Sequence, residues 1–143
     1  MSELRQFAQR YYHVKKQVEN LEELRFAHVT RKYADLSVEV EAIKTERQRA
    51  EEERNSGQTG ADWLMWHRYV QLLETVEEAH NKDLQTVGLE RDTQQKSLWA
   101  AHVESTRWET LANKLTYRHQ VEMQRLDERS ADEMAVLRNK GGL

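Results

Sequence analysis

The chain has 143 residues, of which 33% are charged and 38% hydrophobic, with a net charge of -3 and a mean hydropathy of -0.96. So few apolar residues, many of them single alanines, valines and leucines set among charges, can fill a narrow helix–helix seam but not a broad core. There is no cysteine for a disulfide or thiolate metal site, no apolar run of membrane-spanning length, and no strong basic field for nucleic acid.

Proline is absent, so no residue compels a helix to stop. Residues 4 to 21 fit a heptad seam of Leu4, Phe7, Tyr11, Val14, Val18 and Leu21. Near Leu24 the phase slips by one residue and resumes as Phe26, Val29, Tyr33, Leu36, Val40 and Ile43. The segment KTERQRAEEER (44–54) is almost wholly polar and reads as the solvated tip of this first helix, held by i,i+4 charge pairs.

Asn55 to Gly60 carries two glycines with Asn, Ser and Thr, which predicts a chain reversal, with Thr59 or Asp62 capping the next helix. Just beyond it lies the densest apolar stretch, WLMWHRYVQLL (63–73), a packing node or a docking surface. The second helical seam reads Trp63, Trp66, Val70, Leu73, His80, Leu84, Val87, Leu98, Ala101 and Trp108. It then shifts to Leu111, Leu115, Leu126, Met134 and Leu137. Gly88 is an interior glycine that need not end the helix, and Gly141-Gly142 is a stop.

The expected fold is all-α: a single antiparallel coiled-coil hairpin, helix one over about 3–54, a turn over 55–61, and helix two over about 62–139. Folding about residue 58 sets Tyr33 opposite position 83 and Leu4 opposite position 112. Residues beyond Tyr117 then lack an intramolecular partner, yet keep Val121, Leu126, Met134 and Leu137 among arginines and carboxylates. A lone helix of this length is marginal in water, so these four residues are candidates for contact with another protein.

A thin hairpin has no interior volume for catalysis. Six histidines are present, but only Glu77-x-x-His80 has the Glu-x-x-His form, and a di-iron bundle needs two. No GxxxxGK[ST] is available for a nucleotide phosphate, and Gly57-x-x-Gly60 lacks the strands and basic flanks of a nucleic-acid-binding loop. No enzyme activity, cofactor or metal is expected. A metal-binding helical enzyme is the alternative from another class. The four tryptophans are many for a coiled coil and read as seam fillers or interface anchors. Tyr69, Leu73, Val76 and His80 form one stripe, and Val29, Tyr33, Leu36 and Val40 form another with the same spacing. Not all can face the seam together with Trp66, Val70 and Val87, so exposed apolar positions for a partner are expected here.

Trp66-x-x-Tyr69-x-x-Leu72-Leu73, Ala79, Leu98-Trp99 with Trp108 nine residues on, Glu109-x-Leu111 and Leu126-Asp127-Glu128 together resemble the flagellar export protein family FliJ, and more distantly the YscO-type stalk proteins of injectisomes. The resemblance covers nearly the whole chain and is strongest from Trp63 to Arg129. It implies a non-enzymatic stalk, similar to that of rotary ATPases, whose end with both termini enters the export ATPase ring. It further implies contact with the membrane export gate protein and with unladen export chaperones. On that correspondence Tyr69, Leu73, Val76 and His80, with Val29, Tyr33, Leu36 and Val40, become gate-binding candidates. The geometry adds Val121, Leu126, Met134 and Leu137 as the ATPase-contacting ones. The expected protein is cytoplasmic, peripheral to the inner membrane through its partners, monomeric alone, and does not bind nucleic acid. The competing readings are a generic coiled-coil scaffold or dimerisation module, or an injectisome YscO-type stalk.

Overall fold

A computed structural model describes residues 2–57 and 59–141, and among these there are two α-helices and no strand. The first, α1, spans Ser2–Asn55 and the second, α2, spans Gly60–Gly141, packed against each other as an antiparallel hairpin. Gly142 lies outside the described residues. By its contacts the chain divides into a turn unit, Glu22–Leu98, and an end unit, Met1–Leu21 with Trp99–Leu143.

In the turn unit no described residue at the end of α1 has a left-handed conformation. No described glycine has a positive φ. The Ser56 amide donates to the Glu52 carbonyl at 3.0 Å and the Gly57 amide to the Arg54 carbonyl at 3.3 Å. A Cβ at Gly57 would stand 3.3 Å from the Arg54 carbonyl oxygen, a tight contact. Thr59 is the cap expected from the sequence: its Oγ1 accepts from the Asp62 amide at 3.1 Å, and its carbonyl accepts the first helical bond, from Trp63, at 3.0 Å. Asp62 sits instead in the first turn, where its charge complements the helix dipole.

The turn-unit seam on α1 is Glu22, Phe26, Val29, Tyr33, Leu36, Val40, Ile43, Arg47, Ala50 and Arg54, alternating four and three. From Phe26 to Ile43 this is the seam expected from the sequence. The matching α2 row includes Trp66, Val70, Leu73, Glu77, His80, Leu84 and Val87, with Val70 only 1% exposed. The polar tip 44–54 is not merely solvated, because Ala50 is fully buried and Arg47 reaches across to Glu77 at 2.6 Å.

The pairing differs from the sequence expectation by about one helical turn. Tyr33 lies opposite Gly88 rather than position 83, and Arg91 covers its ring at 4.3 Å. At this level the Tyr33 ring packs over the one glycine inside α2, Gly88. A Cβ at Gly88 would stand 3.4 Å from Tyr33 Cε2, which is ordinary contact. Gly88→Ala is therefore expected to raise stability by up to about 1 kcal/mol through helix propensity. Gly88→Leu should cost about 1–3 kcal/mol by displacing the Tyr33 ring. Thermal unfolding of the two variants checks the opposite signs.

The end unit holds the main departure. Its buried α1 row is Ala8 and Glu19, with Tyr12 and Lys15 half-buried between them and Arg5 half-buried before them, one residue later than the expected Leu4–Leu21 stripe. Those six apolar residues are all exposed. No slip near Leu24 is needed, because positions 5, 8, 12, 15 and 19 already share the phase of the later α1 seam. Small residues decide this. Ala8 packs with Ala112 and Leu115, and Trp108 closes over them, so the close approach is possible only where α1 presents Ala8. On α2 the row continues as Ala101, Ser105, Trp108, Ala112, Leu115 and His119 with no shift to Leu111, which stays exposed.

Candidate partner-binding surfaces

In the turn unit, the stripes expected to be exposed lie in the helix–helix interface. Val40 is buried, while Val29, Tyr33, Leu36, Tyr69, Leu73, Val76 and His80 are half-buried. Not all of these eight were expected to face the seam at once; instead each is at least half-buried in it.

Several carry polar ends that are already satisfied. Tyr69 Oη donates to Glu46 Oε1 at 3.0 Å, and the Arg49 guanidinium grips the same carboxylate at 2.6 and 3.0 Å while lying 5.9 Å from the Trp66 ring. The Arg49 hydrogen bonds, then the Tyr69 one, hold the Glu46 carboxyl below its ordinary range. The same hydrogen bond, with burial, pushes the Tyr69 phenol up. His80 Nδ1 lies 2.9 Å from the Val76 carbonyl, an acceptor only, so Nδ1 carries the proton, and Nε2 points toward Glu39 at 3.7 Å. His80 is therefore a tethered seam residue. No group of three or more possible metal ligands occurs among the described residues.

The apolar stretch 63–73 divides by face. Trp66, Tyr69, Val70 and Leu73 turn inward, whereas Trp63, Leu64, Met65 and Leu72 are exposed. Trp63 stacks on His67 at 4.6 Å, and Arg54 donates to His67 Nδ1 at 3.0 Å. One face of this stretch is thus a packing node, and the other stays open.

In the end unit, Glu19 is a buried carboxylate inside the seam. It accepts a hydrogen bond from Ser105 Oγ, with His102 Nδ1 at 2.9 Å and Lys16 Nζ at 3.5 Å. Burial pushes its carboxyl up, but the bonds from Ser105 and His102, with the nearby positive charge, outweigh that and hold it below the ordinary range. On the opposite side of the seam Trp108 meets Tyr11 at 4.4 Å and Phe7 at 6.1 Å, and its Nε1 donates to Glu104 Oε1 at 3.1 Å. Trp99 is the most exposed tryptophan and lies on an outer face with Val103 and Thr106.

Beyond Val121 every α2 residue through Gly141 is exposed, so Leu126, Met134 and Leu137 have no cover in the end unit, and Val121 is half-buried. The bare tail expected from the lengths is present, beginning a few residues later than Tyr117 because of the shifted pairing. The open stripe Leu4–Leu21 was not anticipated. The signal for it was available in the alanines: Ala8 and Ala112 mark where two helices can touch, and the apolar stripe lies one residue off that line.

No helix among the described residues is long and apolar enough to cross a membrane. Comparisons with curated proteins and with solved structures find no match. The family model described as flagellar FliJ protein matches residues 5–141, which takes in both helices and the turn between them. With nearly its whole length matched and two packed helices of the kind that resemblance implied, the chain belongs to the flagellar FliJ family and is a component of flagellar protein export.

Proposed function

We propose that this protein is a non-enzymatic stalk of the export apparatus that couples the export ATPase ring to the export gate protein and handles unladen export chaperones. It would act in the cytoplasm, held peripherally at the inner membrane by its partners. The observation that carries this reading is the bare tail of α2. A helix that continues for about five turns past its partner, with Leu126, Met134 and Leu137 uncovered, gains little on its own in water. A ring that encloses the tail would cover those side chains, and the alternating arginines and carboxylates would keep the contact reversible. Gate binding is assigned to the turn-unit row of Tyr69, Leu73, Val76 and His80 with Val29, Tyr33, Leu36 and Val40. Most of these keep one edge in solvent while the seam holds them rigid.

The test is a pull-down and ATPase assay with the full chain and with a chain ending at Tyr117. The truncated protein should keep the helicity of the paired segments and still retain the gate protein, but lose stimulation of the ATPase. Unchanged stimulation would remove the tail from the mechanism. A stable homodimer that ignores the ATPase would instead favour the scaffold reading.

A further inference from the structure

The end unit exposes a coiled-coil stripe that its own hairpin meets only at Phe7 and Tyr11, through Trp108. Leu4, Phe7, Tyr11, Val14, Val18 and Leu21 keep strict three–four spacing over nearly five turns, yet each is 37–54% exposed. The seam beside them contains Lys15 and Glu19. A sequence that places charges in the seam and apolar residues on this flank has a second helix contact to make. On α2, Trp108 borders the stripe through Phe7 and Tyr11, and Leu111 follows it in the same row.

The charges around the stripe define what fits it. Arg10 and Lys15 lie along α1, and Arg107, Lys114 and Arg118 lie along the near side of α2. Against these five cations stand Glu3, Glu22 and Glu104, of which Glu22 is already paired with Arg25 at 3.0 Å, so positive charge predominates. Glu104 is already engaged, by Lys15 at 4.0 Å and Arg107 at 3.8 Å. Arg5, next to Leu4, has a buried Nε with no hydrogen-bond partner. The tail of a second copy is a poorer occupant, because its apolar row Met123, Leu126, Met134 and Leu137 is broken by Ser130 and so lacks a continuous heptad seam.

The geometry points to this face as a docking site for one amphipathic helix of a partner protein, with apolar residues at heptad spacing and Asp or Glu on both flanks. The occupant lies along α1 over residues 4–21, packs on the ring of Trp108, and sets its carboxylates against Arg107, Lys114 and Arg118. The site is separate from the α2 tail and stands whether or not the tail meets an ATPase.

The test uses the full chain and two fluorescein-labelled four-heptad peptides with the same Leu and Ile seam, one with Glu and one with Lys at every flanking position, read by anisotropy. The acidic peptide should bind at least about tenfold more tightly than the basic one and lose affinity as salt rises. Val14→Glu with Val18→Glu should weaken it by at least about tenfold at unchanged helicity. Lys114→Glu with Arg118→Glu, both exposed and outside the stripe, should shift the preference toward the basic peptide. Failure of both peptides to bind, equal binding of the two, or an acidic peptide insensitive to both double variants would overturn the proposal. So would sedimentation showing a self-association that Val14→Glu with Val18→Glu abolishes, since the occupant would then be a second copy.

Discussion

Val70→Asp is expected to unfold the turn unit at neutral pH. Val70 is the largest fully buried side chain and lies in the α2 row between Trp66 and Leu73. Its neighbours in that row are apolar, and the arginines of the facing seam, Arg47 and Arg54, are engaged with Glu77 and His67, so a carboxylate there would be a buried charge without a free partner. Such a group costs about 3–5 kcal/mol, a large part of the total stability of a chain this size. Val70→Ala removes only methyl groups and should cost about 2 kcal/mol. Circular dichroism during heating separates the two: the alanine variant keeps a cooperative transition at lower temperature, and the aspartate variant loses it. A cooperative, near-native transition for Val70→Asp would mean that the seam is open to water at this level.

The second large effect concerns Glu19. Its carboxyl is held below the ordinary value of 4.5, so its contribution to stability is fully present above that value and is lost as pH falls through its lowered one. Ser105→Ala removes a donor to this buried charge and should cost about 1.5–3 kcal/mol at pH 7. Glu19→Leu removes the charge together with its desolvation cost and extends the apolar seam next to Ala101, so it should be neutral or stabilising at pH 7. The pH dependence distinguishes this from simple repacking. Wild type should lose stability below about pH 4.5 relative to Glu19→Leu, because only wild type has this proton to take up. Parallel acid limbs for the two proteins would show that Glu19 is ionised equally in the folded and unfolded chain. If Glu19→Leu proves clearly less stable than wild type at pH 7, the carboxylate is a net stabiliser of the hairpin.

The sequence by itself determined the helical class, the reversal at Asn55–Gly60, the Thr59 cap and the bare α2 tail. These arise from local features: absence of proline, three–four periodicity, clustered turn residues, and the unequal lengths of two segments that must pair. It also carried the motifs, from Trp66-x-x-Tyr69 to Leu126-Asp127-Glu128, through which the family was legible. Three things depended on tertiary structure. The pairing places Tyr33 over Gly88, a contact between residues 55 positions apart that periodicity does not encode. The placement of Tyr69, Leu73, Val76 and His80 inside the interface resulted from that pairing. The choice of seam in the end unit went against the hydrophobic pattern. Heptad spacing identifies a stripe that some helix will cover, but not which helix. Backbone approach at Ala8 and Ala112 took the intramolecular contact one residue away, where Glu19 could be satisfied by Ser105 and His102, and left Leu4 to Leu21 facing outward.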